Sequence, residues 1–145
     1  MAYTAFLHIH STLRWLVLIL SIIVIAKYLS GLLGNKAWKK SDNLLGIIYT
    51  SVFDIQFLAG LILYFFVSPT TKMAFTDFGA AMKDSQLRFY AVEHFSLMIL
   101  ALIFVHIGRA KSKKSSTDHA KFKLALVFFT IAIALVIAGI PWSRL

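Results

Sequence analysis

The chain has 145 residues, of which 59% are apolar and only 14% charged, and its mean hydropathy is +0.80; a soluble domain carries about a quarter of its residues as charge. That length leaves room for one domain, and the absence of cysteine excludes disulfides, thiolate metal sites, covalent c-type haem attachment and cysteine nucleophiles. The net charge of +9 would suggest nucleic acid in a soluble protein, but its distribution argues against that partner.

Apolar residues fall into four blocks, 6–29, 44–67, 89–107 and 122–140, the third read as a helix over 87–108. A helix needs about 20 apolar residues to cross a hydrocarbon core ~30 Å thick. Four transmembrane helices are therefore expected. The first block lacks a basic leader and a small-residue cleavage site, so it reads as a membrane helix and not as a signal peptide.

Helix 1 carries His8, His10 and Arg14 near its start and ends around the glycines of YLSGLLGN. Trp38 beside Lys39 and Lys40 suits a membrane–water interface. Helix 2 carries Asp54 and Gln56 and stops at Ser68-Pro69, where proline ends the hydrogen-bond ladder. In the long connection that follows, Asp77 is placed to cap a short helix through Met82, with Phe75, Phe78 and Met82 on one side. That segment is expected to lie on the outer surface and cover the end of the bundle. Helix 3 carries Glu93, His94 and His106, with Tyr90 and Met98 one turn either side of His94. Helix 4 has no ionisable residue between Leu124 and Pro141 and ends at Ile140-Pro141-Trp142.

Basic residues concentrate in two places. Lys27, Lys36, Lys39 and Lys40 flank the first connection; Arg109, Lys111, Lys113, Lys114, Lys121 and Lys123 flank the third. The other side has only Lys72, Lys83, Arg88 and Arg144. Positive residues favour cytoplasmic loops, so both basic loops are expected in the cytoplasm and both termini outside. The run GRAKSKKSS is a topology signal that touches anionic lipid headgroups; no nucleic-acid role follows. With short links between helices 1–2 and 3–4, the expected fold is an all-α, up-down-up-down four-helix transmembrane bundle.

Ionisable groups within a span are expensive and mark functional positions. His10 and His94 each lie a few residues inside the outer end of their helices, roughly 6–8 Å below the boundary at 1.5 Å per residue. Two histidines at one depth on two helices suit the axial ligation of a haem held edge-on within a bundle. His8 competes with His10, because residues two apart point about 200° apart and only one of them faces a partner helix. Arg14, one turn deeper on the face of His10, can pair with a haem propionate or with Glu93. His106 follows His94 by about 18 Å along the axis and about 120° around it, which reads as interfacial and gives no second haem. His119 is expected to be solvated. Asp54, near the midplane with Thr50 and Gly46 on its side, is either a proton carrier or counter-charge or a carboxyl hydrogen-bonded within the bundle.

His10-Ser11-Thr12-Leu13-Arg14-Trp15, Ala91-Val92-Glu93-His94 and Ile140-Pro141-Trp142 together resemble a family of short bacterial four-helix membrane proteins labelled cytochrome B-like, themselves distantly similar to copper-resistance-D-type haem-binding bundles. The resemblance spans the chain and includes Met82-Lys83-Asp84 and Leu87-Arg88-Phe89-Tyr90. It implies a b-type haem held by helical histidines and an electron-transfer role in the bacterial inner membrane. One departure is Asp54-Ile55-Gln56-Phe57, where the family often has His-x-Gln-Leu. A carboxylate is a poor haem ligand, so Asp54 does not replace that histidine, and the departure bears on a second haem or on haem itself.

The leading expectation is thus a small b-type cytochrome, or a cytochrome-like subunit, with one haem near the outer face. A quinol or a redox protein would be its partner. A haem-free proton or ion conductor is the alternative, with His10, Arg14, Glu93, His94, Asp54 and His106 as a relay. A structural subunit of a larger membrane complex, or a homo-oligomer, is a third reading.

Overall fold

A computed structural model describes residues 1–145. It is all-helical, and four of its helices are long and apolar enough to cross a membrane. Helix α1 is Ala2–Leu33, and α2 is Lys40–Ile62, prolonged by a π-helical turn over Leu63–Val67. Three short helices follow: α3 (Pro69–Thr76), α4 (Phe78–Ala81) and α5 (Ser85–Arg88). A second π-helical turn, Phe89–Glu93, leads into α6 (His94–Lys114), and α7 is Asp118–Gly139. Around the bundle the order is α1, α2, α6, α7, each long helix antiparallel to its neighbours. Both chain ends lie at one end, where Tyr3 and Leu145 line the same cavity.

The helices outrun the apolar blocks because their polar ends are well terminated. The carboxylate of Asp42 accepts from the backbone N–H of Lys39 at 2.9 Å and pairs with Lys27 at 3.3 Å. An acid there answers the exposed N–H groups of the first turn of α2. Lys111, Lys113 and Lys114 occupy the last turn of α6, where cations are favoured. Thr117 caps α7 by accepting from the N–H of Ala120 at 3.1 Å.

Asp77 caps α4, as its position suggested, accepting from the N–H of Ala80 at 3.0 Å. Helix α3 was not expected. Pro69 ends α2 but also opens α3 as its first residue, with Ser68 capping, since proline's fixed φ suits a first helical turn. Phe75 and Phe78 stack at 5.8 Å on the exposed side. Met82 does not join them; it packs inward against Ala74, Ala81 and Ala91.

The outside of the bundle is apolar: Ile22 is 71% exposed and Leu58 56%. Such faces need lipid or protein against them. The inside is a core of small and aromatic residues including Val17, Val24, Tyr49, Phe53, Phe122 and Phe129. Its buried hydroxyls are satisfied. Ser21 and Tyr49 bond side chain to side chain at 2.7 Å, and Tyr28 donates to the carbonyl of Asp42 at 2.7 Å. Gly31 lets α1 pass against Phe122: a Cβ there would lie 2.5 Å from the ring. Gly31→Ala should therefore destabilise the bundle by about 1–3 kcal/mol through overpacking, read as a lower melting temperature by circular dichroism in detergent.

Candidate functional site

The two π-helical turns lie at the same end of the bundle and are tied together. The hydroxyl of Tyr64, in the first, donates to the carbonyl of Ala91, in the second, at 2.6 Å. The Tyr64 carbonyl accepts from the hydroxyl of Thr71 at 2.7 Å, and the Tyr64 ring stacks on Phe95 at 4.1 Å. A π turn takes up one extra residue and rotates everything after it; such turns recur at functional sites. His94 is the first residue after the second one.

That rotation turns His94 toward His10. Their ring centroids are 6.3 Å apart, with the planes at 82°. Each ring is fixed from behind by a backbone carbonyl. Nδ1 of His10 donates to the carbonyl of Gln56 at 3.2 Å, and Nδ1 of His94 to that of Gly139 at 2.6 Å. A carbonyl only accepts, so each Nδ1 carries the hydrogen and each Nε2 keeps a free lone pair. This is the arrangement in which metal-ligating imidazoles are held by their surroundings.

Both carbonyls are available for reasons written in the chain. Pro141 ends α7, so no helical N–H reaches back to Gly139. Gln56 lies one turn before Gly60, which has no side chain to cover the carbonyl. A Cβ on Gly60 would lie 3.0 Å from Cε1 of His10 and 3.5 Å from its Nδ1.

The two rings line a cavity of about 290 Å³ between the four long helices and the chain ends. Its charged lining side chains are Arg14 and Arg144; no Asp or Glu side chain lines it. Two buried polar atoms beside the rings, Nε of Arg14 and Oε1 of Gln56, have no hydrogen-bond partner within the chain. A buried donor or acceptor left unpaired is costly, so one donor and one acceptor remain to be satisfied from within the cavity. Arg14 also lies over Trp15, 5.2 Å from the ring centroid, and Arg144 lies 5.7 Å from that of Tyr90. Tyr90 and Met98 line the cavity as well.

His10 and His94 would be the residues to hold a haem iron through their Nε2 atoms, with ring centroids 6.3 Å apart. The unpartnered guanidinium donor suits a propionate, and the glycine contact keeps His10 at its carbonyl. Nowhere in the chain do three His, Asp or Glu side chains converge.

The other candidates lie apart. His8 is exposed and does not line the cavity. Glu93 does not reach Arg14. It pairs instead with Arg88, five residues back across the π turn, at 2.7 Å. Asp54 leaves the bundle interior: Gly46 and Thr50 are buried, but Asp54 turns out to the flank and bonds Nε2 of His106 at 2.6 Å. The relay candidates therefore fall in three separate places, namely the cavity, the Arg88–Glu93 pair and the Asp54–His106 pair. His119 is exposed. Gly60 and Gly139 went unnoticed in the sequence, although Pro141 two residues after Gly139 announces a free carbonyl.

No family model matches the chain, and neither a curated protein nor a solved structure does so.

Proposed function

We propose that this protein is a small b-type cytochrome of the bacterial inner membrane. Its basic loops would face the cytoplasm and its histidine cavity the outer side. The observation that carries the reading is the pair His10 and His94, with ring centroids 6.3 Å apart, planes at 82° and both Nδ1 atoms engaged by carbonyls.

Haem held by two imidazoles exchanges single electrons and has no open coordination position for oxygen chemistry. His10 and His94 would be its axial ligands. Their carbonyl partners fix the tautomer and strengthen each ring as a donor. Arg14 supplies an unpartnered donor for a propionate, and Arg144 adds a second positive charge to the same cavity. The apolar lining, with Val17, Phe53 and Val136, excludes water. Electrons would pass between a quinol or membrane partner and an acceptor at the outer face.

The test is a visible spectrum of protein expressed with ample haem precursor and purified in detergent. Reduction with dithionite should sharpen an α-band and shift the Soret band, with haem and chain in equal amounts. A spectrum with neither feature overturns the proposal.

A further inference from the structure

Asp54 and His106 are a second pair of polar groups, beside Arg88 and Glu93, that the cavity does not use. They bond each other at 2.6 Å, yet their side chains are 47% and 50% exposed. Asp54 lies near the middle of the 28-residue span Lys40–Val67. Ionisable residues at such depth almost always face a bundle interior or a water-filled cavity. Here they face sideways, on a flank whose other exposed residues include Ser51, Ile55, Leu58 and Ile103. The one hydrogen bond between them uses Nε2 and Oδ1, which leaves Oδ2 to accept from a neighbour and, with His106 as imidazolium, Nδ1–H to donate to one.

We infer that the α2–α6 flank is an interface between two copies of this chain, related by a twofold axis along the membrane normal. The reason is the sign pattern of the pair. Its acceptor stands on α2 and its donor on α6, side by side around the bundle, so the pair points along the membrane plane. A twofold axis normal to the membrane reverses every in-plane direction. Each Asp54 then meets the His106 of the other copy, and each His106 the other Asp54. The patch is complementary to itself, as a twofold interface requires. Any different partner would need a matching donor and acceptor of its own at the same depth. Side chains bonding across helices hold membrane helices together where apolar surface alone gives no preference over lipid. Ser51, one turn from Asp54, keeps the surface beside the pair small.

The chain has no cysteine, so one introduced thiol reports cleanly. Ser51→Cys in native membranes under mild oxidation should give a disulfide-linked species of twice the chain's mass. Ile22→Cys, 71% exposed on α1, should stay single. Adding Asp54→Leu and His106→Leu to Ser51→Cys should lower the linked fraction about tenfold, with helical circular dichroism and melting retained as the check on folding. Three results overturn the inference. Linking of Ser51→Cys no greater than that of Ile22→Cys leaves the flank to lipid. An adduct of another mass means that a different protein covers the flank. Leucine variants that link as fully as Ser51→Cys show that the pair does not hold the copies.

Discussion

His94→Ala and His10→Ala should each remove the reduced α-band and lower the haem recovered per chain by more than tenfold. His8→Ala should leave both unchanged. The contrast follows from the rings' surroundings. His10 and His94 line the cavity with their Nε2 atoms free, while His8, two residues from His10, is exposed and lines nothing. Neither alanine variant should unfold the bundle. Each ring is only half-buried and stands against a cavity, so its loss removes one hydrogen bond to a carbonyl, about 1 kcal/mol, and little packing. Haem content by pyridine haemochrome and melting by circular dichroism separate the two effects. Equal loss of spectrum in the His8 variant would mean that the first helix is rotated from the position described.

The four long helices are legible because hydrophobic blocks of membrane length have few alternatives. Helix ends are legible where a proline or a capping acid marks them, as at Pro69 and Pro141 for long helices and at Asp77 for the short α4. That His10 and His94 share one level of the bundle follows from rise per residue alone. What could not be read is direction around a helix axis over more than one turn. Residues spaced by four drift about 40° per step, so Gly46 and Thr50 stay inside while Asp54, two steps on from Gly46, emerges on the flank. The π turn before His94 adds a second rotation with no local signature. It brings Arg88 onto Glu93 and so cancels the pairing of Glu93 with Arg14. Gly60 and Gly139 escaped for a different reason. Their contribution is an uncovered or unclaimed carbonyl, which becomes visible only once a ring from another helix is seen against it.

Gly60→Ala should move stability and haem affinity in opposite directions. Alanine inside a helix is favoured over glycine by about 1 kcal/mol, and Gly60 lies within α2. The melting temperature of the haem-free protein should accordingly hold or rise. The added Cβ would lie 3.0 Å from Cε1 of His10, closer than ordinary van der Waals contact, so the ring must give way. Its bond to the Gln56 carbonyl is already long at 3.2 Å, and a shift of a few tenths of an ångström moves it out of range. His10 would then lose the partner that sets its tautomer and orientation. Loss of such a partner lowers metal affinity about 10- to 100-fold, measurable by haem titration of the apoprotein. Gly79→Ala is the control: a Cβ there meets only Oδ1 of Asp77 at 3.7 Å, in α4, away from both rings. A merely structural glycine would show loss of stability together with loss of haem. A rise in melting temperature with a fall in affinity assigns Gly60 to the positioning of His10.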